Sequence, residues 1–526
     1  MKLSHLLIGG IAGVVAVQII GAKLVSTGVE AGVRRTVQAY SEQARFPIEV
    51  ANFEGGWFSS SFDVRVPIPA VFVEPLAELG IEIDSDTTGA VFDYSTNIKH
   101  GPIVFDDGIH FSAAHASGTA AINIETLMDK AIAKAEDDKA RAALKMFKPQ
   151  LAHLLNTVTS TYDIAVAFNG DVSFTSEMSG GNAVITNFPQ DEKIKTMTFD
   201  FSPATGSWTL MGDQFTSIME ANWGGVNLSV EFVEDEHIKF TMGEIDLRSK
   251  TNRIGESLWS GDIEATIETM GGFGAIGGNP FDVRFDTIAI ASSIGPIDDA
   301  KGLVSGSTLM TTQALKVVAN GGTLSLDGLT MDVNIQNLLI PILEAEAKVA
   351  RDSWTNISAN PLEDQPFTFL QSPEFETVID QQLAATPRIN LTAYKIVADD
   401  EEIGLSGYLQ LNPGATLAMI NENHAAWPLI EGDFTFLLSP RMVKSIGFGA
   451  SQMSPNKMPQ EQIDQLVDLQ LAQYQQLGLV KAEGEIFTSN VNIANDIISV
   501  NGKPMVQISQ MVAASQQAAN AAPSTE

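Results

Sequence analysis

The segment 272–277, Gly-Phe-Gly-Ala-Ile-Gly, has the spacing G-x-G-x-x-G that occurs in dinucleotide-binding loops. Such glycines let the backbone approach a pyrophosphate at the N-terminus of the helix that follows. Here Pro280 and the strand-like stretch 281–288 follow instead of a helix. The context therefore favours a flexible loop between two strands over a nucleotide site.

Histidine pairs could bind a metal ion, and His110 and His115 are close in sequence. On one predicted strand, two residues five positions apart point to opposite faces of the sheet. The chain has no His-x-x-x-His pair and no cysteine. Because a dedicated metal site needs several convergent ligands, the sequence predicts no metal site and no cofactor.

Hydrolytic chemistry would need an activated nucleophile or a pair of carboxylates in one site. The stretch 444–451 places serines beside glycines, but it contains neither G-x-S-x-G nor S-x-x-K. Acidic clusters at 106–107, 234–236 and 399–402 lie in predicted turns, where carboxylates are usually solvated. The sequence therefore favours a non-enzymatic role.

Three further motifs combine aromatic, glycine, proline and polar residues that suit tight turns. They are Phe53 with Gly56, Trp57, Phe58, Ser59 and Ser60; His100 with Gly101 and Pro102; and Asn501 with Gly502, Lys503 and Pro504. Trp57 and Phe58 could line a ligand groove, but aromatics at a bend usually pack in the core. His100 could act in catalysis, although no acidic or hydroxyl partner is evident. We expect all three motifs to be structural.

The composition is that of a globular chain with a strongly acidic surface. The 526 residues are 44% hydrophobic, and 64 acidic side chains against 31 basic ones give a net charge of −33. Enough apolar surface is present to offset the entropy of ordering the chain. Since affinity for nucleic acid depends on Lys and Arg displacing counterions, this balance argues against a nucleic-acid partner.

A nearly unbroken apolar run covers 3–22. About twenty residues at about 1.5 Å each cross a hydrocarbon core of about 30 Å, so we expect 1–24 to be a single membrane anchor. A cleaved signal peptide is the alternative, but its apolar core is usually shorter. The segment 25–46 reads as a helical connector, and the bulk of the chain is expected to lie on the outer side of the membrane.

From 47 to 515 the pattern is one of short strands separated by turn residues, as at 172–178, 388–397 and 402–411. Helical patterns interrupt it near 125–156, 336–350 and 459–477, and 516–526 reads as a disordered tail. The predicted fold class is α+β and mostly β. An anchor helix is followed by a large, curved antiparallel meander with a few helices packed on it.

The order of the three turn motifs and the leading apolar run resemble the YdgA-like family of Gram-negative bacteria, known as domain of unknown function 945. That resemblance implies a bacterial inner-membrane protein with a single span, whose large remaining part is periplasmic, and it implies no established activity. The family tends to carry arginine where this chain has Gly55. This chain therefore lacks that cation at position 55.

Three functions are compatible with these observations. The first is a non-enzymatic binding or scaffolding module for an apolar ligand such as a lipid, or for an envelope protein. An extended meander has two faces, and the few predicted helices cannot cover both of them. The second is a structural subunit of an envelope complex. The third, an envelope hydrolase, has no recognisable site to support it.

Overall fold

A computed structural model describes most of the chain from residue 49 to residue 511. The described residues are 34, 49–55, 59–67, 91–100, 104–105, 109–110, 112, 114–123, single positions between 128 and 152, 158–186, 194–211, 216–233, 236–254, 258–276, 278–298, 301–344, 373–421, 427–454 and 456–511. The chain divides into two compact units. Unit 1 comprises 1–257 and 347–368, and unit 2 comprises 258–346 and 369–526.

The described part of unit 1 is built from short strands, with helical residues at each described position between 128 and 152. The strands are β1 (Glu49–Gly55), β2 (Ser59–Pro67), β3 (Val91–His100), β4 (Val104–Phe105), β5 (Ile109–His110), β6 (Ala114–Asn123), β7 (Ser160–Val166), β8 (Val172–Met178), β9 (Gly181–Thr186), β10 (Ile194–Phe201), β11 (Ala204–Met211), β12 (Thr216–Trp223), β13 (Val226–Phe232), β14 (His237–Met242) and β15 (Ile245–Arg253).

Unit 1 forms an antiparallel sheet in the order β1-β2-β3-β6-β7-β8-β11-β12-β15. The strands β9, β10, β13 and β14 pair in that order as a second ladder. Each of them is joined to one of the strands β8, β11, β12 and β15 by an interruption of two residues. The interruptions at 202–203 and 224–225 are hydrogen-bonded to each other. Ser202 N donates to Gly225 O and Gly224 N donates to Pro203 O, each at 3.0 Å. Gly225 has a φ of +102°, which side chains disfavour, and a Cβ there would overlap the Met242 carbonyl.

Alternation along the strands gives unit 1 a fully buried apolar face. On β2 and β3, Phe62, Val64, Tyr94 and Ile98 are buried, while the residues between them face the other way. The face continues across β6, β7 and β8, where paired positions carry buried side chains. Ile164 beside Phe174 is one such pair. This face is the hydrophobic core of unit 1.

Unit 2 contains longer strands, helical residues at 340–344 and four further α-helices among its described residues. The strands are β16 (Trp259–Ile276), β17 (Asn279–Asp298), β18 (Leu303–Ala319), β19 (Gly322–Leu326), β20 (Gly328–Leu339), β21 (Arg388–Ala398), β22 (Glu401–Leu411), β23 (Ile430–Leu438), β24 (Lys481–Glu483), β25 (Ile486–Ala494), β26 (Ile497–Val500) and β27 (Lys503–Gln507). The helices are α1 (Pro373–Ala384), α2 (Leu417–Asn421), α3 (Pro440–Met453) and α4 (Gln460–Leu477), with a 3-10 turn at Trp427–Leu429.

The strands of unit 2 form an antiparallel meander in the order β16-β17-β18-β20-β21-β22-β23-β25-β26-β27. Strand β19 pairs with the far end of β18, and β24 pairs with β25. The predicted class, mostly β with an antiparallel sheet and few helices, is confirmed. The predicted anchor 1–24, the tail 516–526 and nearly all of the connector 25–46 lie outside the described residues. Among the described residues, no helix is long and apolar enough to cross a membrane.

Helix α3 closes one end of the sheet of unit 2. Ser439 caps its N-terminus, since the Met442 amide donates to Ser439 Oγ at 3.3 Å, and Pro440 follows as the first helical residue. Met442 is buried against Leu326 and Ala398, with Ile396 and Ile403 around them. The helix therefore covers the sheet where β19 and β21 end and β22 begins.

Several details differ from the sequence-based predictions. Most of 272–277 lies inside β16 rather than in a loop, because its residues pair with β17 as far as Ile276. The helix expected near 336–350 has its first helical residue at 340, since 336–339 continue β20. His110 and His115 lie on two strands, β5 and β6, rather than on one. Helix α3 was not predicted.

Candidate functional site

The central sheet of unit 2 has two chemically different faces. In an antiparallel pair, directly opposed residues point to the same side, so the register assigns side chains to faces. One side, here called the apolar face, carries two rows of large apolar residues across β20–β23. The rows are Ile335, Ile389 and Leu409, and Met331, Tyr394, Leu405 and Phe436.

The apolar face is only partly covered. Helix α3 packs over one end of it, at Ile396 and Ile403. Beyond that end Ile389 is 46% exposed, Tyr394 36% and Phe436 42%. Large apolar side chains that share an exposed surface mark a binding or interaction site more often than isolated ones do.

The opposite side carries an open cleft of about 550 Å³, here called the polar cleft. Its lining is mostly neutral and polar: Asn334, Gln336, Arg388, Asn390, Leu391, Thr392, Ser406, Gly407 and Tyr408. The cleft lies at a β-bulge, because the register of β21 shifts against β20 and against β22 around Thr392. Bulges of this kind re-aim side chains and often lie next to functional sites.

Arg388 is held in place within the polar cleft by three contacts. Its Nε donates to Asn390 Oδ1 at 2.7 Å, and its Nη1 donates to Gln410 Oε1 at 3.2 Å. The guanidinium carbon lies 3.9 Å from the centre of the Tyr408 ring, a cation–π geometry. Tyr408 in turn donates to Glu431 at 3.0 Å, and this hydrogen bond raises the pKa of the tyrosine hydroxyl. The guanidinium therefore has a fixed plane.

The structure brings the first two predicted motifs together at one end of β2 and β3. Ser59 pairs with Lys99 and Ser60 with Ile98, so His100 ends the strand next to them. Phe53 stacks on Phe62 with ring centroids 5.9 Å apart, and Ser60 is buried. Gly56, Trp57, Phe58, Gly101 and Pro102 lie outside the described residues, as does the side chain of His100.

The third motif forms a tight turn in unit 2. Asn501 and Gly502 have φ of 52° and 80°, which permits a two-residue hairpin between β26 and β27, and Lys503 and Pro504 begin β27. Asn501 Nδ2 donates to the carbonyls of Gly478 and Leu479, each at 3.0 Å. Since those carbonyls end α4, Asn501 joins the C-terminus of the helix to the hairpin.

Sequence reasoning considered His115 only as a metal ligand and missed its partner. His115 is buried, and its Nε2 lies 2.9 Å from Asp163 Oδ1 on the neighbouring strand β7. Such a carboxylate fixes the orientation of an imidazole ring. No group of three His, Asp or Glu side chains that could hold a metal occurs in the described part of the chain.

The family described as "Bacterial protein of unknown function (DUF945)" matches residues 1–507. The chain belongs to this family. The resemblance predicted from the three motifs is therefore confirmed, and DUF945 membership covers both units. No curated protein matches the chain, and no solved structure matches it.

Membership of the DUF945 family brings no activity with it, so the site must be judged from its own residues. The apolar face and the polar cleft were not located from the sequence. Residues of both faces alternate along β21 and β22, but only the register shows which of them are neighbours. The bulge at Thr392, which opens the cleft, has no sequence signature of its own.

Proposed function

We propose that this chain is an inner-membrane-anchored periplasmic protein of the bacterial envelope, in which unit 2 binds a lipid acyl chain on its apolar face. The role is a non-enzymatic one of binding. The observation that carries it is the exposure of Ile389, Tyr394 and Phe436 in one surface of the sheet.

The energetics favour an apolar occupant for this surface. Fully burying a side chain of this size is worth about 1.5–3 kcal/mol, so covering side chains that are already half-buried is worth about 1 kcal/mol each. An acyl chain can follow the two rows of the face without needing hydrogen bonds from it. A polar ligand would lose hydrogen bonds to water on this face and would find no hydrogen-bond partners there to replace them.

The proposed anchor would keep this surface close to its lipid source. The apolar run 3–22 has about the twenty residues that one transmembrane helix needs. The net charge of −33 disfavours broad contact with anionic headgroups. Attachment to the bilayer would therefore depend on the anchor, while the apolar face takes up single chains.

A pair of neighbouring substitutions on β23 tests the binding of lipid. Phe436→Asp places a charge on the apolar face, and Thr435→Asp places the same charge on the opposite face as a matched control. The full chain is purified in detergent, and bound lipid is extracted and measured by mass spectrometry. We expect Phe436→Asp to lower bound lipid about tenfold or more, and Thr435→Asp to leave it unchanged. Equal lipid in both variants would contradict the proposal.

The membrane topology has a separate test. Alkaline phosphatase, which is active only in the periplasm, is fused after Glu526, and a matched fusion lacks residues 1–24. We expect activity and membrane association in the first fusion and neither in the second. Activity confined to the cytoplasm, or a mature chain found free of the membrane, would contradict the anchored periplasmic location.

A structural subunit of an envelope complex is the second candidate, and helix α4 favours it. Leu466, Leu469 and Leu477 share one side of the helix and are 49%, 59% and 61% exposed. Ile463 and Leu471 are buried on another side. For this function, Leu469→Glu should release a crosslinked envelope partner, whereas Gln475→Glu, on the opposite side of the helix from the three leucines, should retain that partner.

A further inference from the structure

We infer that the polar cleft of unit 2 binds an oxyanion, the carboxylate or phosphate group of a ligand, on Arg388. The site lies on the opposite face from the one proposed to hold lipid. It therefore stands or fails independently of that proposal.

The charge of the lining points to an anion. Among the described residues that line the polar cleft, Arg388 is the one charged side chain, and the others are amides, hydroxyls, glycine and leucine. The chain as a whole has about two carboxylates for each basic residue, yet none lines this cleft. The contacts of the Arg388 guanidinium are two neutral amides and a ring, so a ligand anion would not have to displace a carboxylate from any of them.

The geometry of Arg388 is suited to a planar or tetrahedral oxyanion. The hydrogen bonds to Asn390 and Gln410 use Nε and Nη1, and neither uses Nη2. The Nη2 group can therefore donate to a ligand oxygen. Because the ring of Tyr408 and the two amides fix the guanidinium plane, little side-chain entropy is lost on binding.

The bulge supplies further donors around the same space. Thr392 is the extra residue of β21 against β20, and Ser406 on β22 lies opposite the interval 392–393. Both line the cleft with the amide of Asn334. Asn334 Nδ2 donates one N–H to the Gly306 carbonyl at 3.3 Å. Its second N–H, two hydroxyls and a guanidinium form a set of donors that can satisfy several oxygens of one anion.

Two carboxylates border this region and limit the ligand charge. Glu431 accepts the Tyr408 hydroxyl, and Asp433 pairs with Tyr408 in the register and is exposed. Both favour a singly charged group over a polyanion. We therefore expect recognition to depend on hydrogen-bond geometry more than on long-range attraction, with a modest dependence on salt.

Calorimetric titration of the full chain in detergent tests the site. The probes are acetate, inorganic phosphate, neutral N-acetylglucosamine, and mixed micelles of the same detergent with phosphatidylglycerol or with phosphatidylcholine alone. The variants are Arg388→Gln, Arg388→Lys and Thr392→Val. Arg441→Gln is the control, since Arg441 is an exposed arginine of unit 2 that pairs with Glu401 and Glu485 instead.

We expect saturable binding of acetate or phosphate that Arg388→Gln weakens at least tenfold and Arg388→Lys weakens less, because lysine keeps the charge but loses the planar fork. Thr392→Val should weaken it severalfold, and Arg441→Gln should leave it unchanged. Stronger binding to phosphatidylglycerol in mixed micelles than to free phosphate, lost in Arg388→Gln, would identify a lipid headgroup as the source. Stronger binding of the free anions would identify a soluble ligand.

Three results would overturn the inference. They are no saturable binding of any anionic probe, binding that survives both Arg388→Gln and Thr392→Val, and N-acetylglucosamine binding as tight as that of the anions. Phe436→Asp should leave anion binding unchanged, so failure of the lipid proposal and failure of the anion site remain distinguishable.

Discussion

The two units use the same sheet pattern for different purposes. In unit 1 the apolar sides of β2, β3 and β7 are fully buried, with Phe62 and Ile164 each 1% exposed. In unit 2 the corresponding side of β21 and β23 keeps Ile389 and Phe436 partly exposed. Alternation in the sequence therefore specifies which side of a sheet is apolar, but it does not specify whether that side becomes a core or a surface.

A matched pair of phenylalanine truncations gives the largest expected contrast. Phe62→Ala removes a fully buried ring and should cost unit 1 about 3–5 kcal/mol. Phe436→Ala removes a partly exposed ring and should cost unit 2 about 1–1.5 kcal/mol. Hydrogen exchange of peptides from β2–β3 and β22–β23 measures each unit separately. Equal losses would show that the apolar face of unit 2 is a core after all.

Glycine-to-alanine substitutions sharpen the same comparison. A Cβ on Gly118 in unit 1 would overlap the Ser95 carbonyl and the Tyr162 hydroxyl, so Gly118→Ala should destabilise by about 2–3 kcal/mol. A Cβ on Gly295 in unit 2 meets nothing within 4 Å, so Gly295→Ala should be neutral within about 0.5 kcal/mol. Urea midpoints of the two variants check this. A neutral Gly118→Ala would mean that the core of unit 1 is loosely packed.

Alkaline pH should act on unit 1 through two buried tyrosines. Burial raises the pKa of the Tyr94 and Tyr162 hydroxyls, and Tyr162 shares a 2.5 Å hydrogen bond with Thr96. A raised pKa in the folded state gives stability that is fully present below the unfolded pKa of about 10 and is lost above it, at up to about 1.4 kcal/mol per pH unit for each tyrosine.

Urea unfolding at pH 8 and pH 11 measures this loss. Tyr162→Phe should destabilise unit 1 at pH 8, because Thr96 loses its partner, but it should reduce the further loss at pH 11. The same loss between pH 8 and pH 11 in both proteins would show that Tyr162 is not the titrating group.

The smallest effect concerns the turn that holds α4. Asn501→Ala removes the hydrogen bonds to Gly478 and Leu479 and should cost about 1–2 kcal/mol. Asn495→Ala is the control, since Asn495 has the same φ of 52° and shares its backbone strain. Faster hydrogen exchange at the C-terminal end of α4 in Asn501→Ala, but not in Asn495→Ala, is expected. Equal hydrogen exchange in the two variants would mean that backbone strain at position 501, and not the lost hydrogen bonds, accounts for the effect of Asn501→Ala.

Much of the fold could be predicted from the sequence because its signals are local. The stretches predicted at 388–397 and 402–411 correspond to β21 and β22 within one residue, since alternation and turn residues are read directly from the chain. Helix α3 was missed although Ser439 and Pro440 form a recognisable helix start. The serine–glycine stretch 444–451 had been considered only for catalysis.

The candidate site could not be predicted to the same extent. Arg388 and Tyr408 lie twenty residues apart and contact each other only because β21 and β22 pair in one register. The cleft also requires the bulge at Thr392. That bulge exists only where β21 pairs with β20 on one side and with β22 on the other. His115 and Asp163 are likewise joined by strand pairing across 48 positions. Contacts of this kind depend on tertiary structure that no single segment encodes.

The most direct test of the proposed function asks whether an acyl chain contacts the apolar face. The chain has no cysteine, so Phe436→Cys and Thr435→Cys each give one labelling site for a fluorophore, on opposite sides of β23. A fatty acid brominated along its chain is then titrated into each labelled protein. The account predicts saturable quenching of the label at position 436 and little at position 435. Equal quenching at both positions, or none at 436, would contradict it.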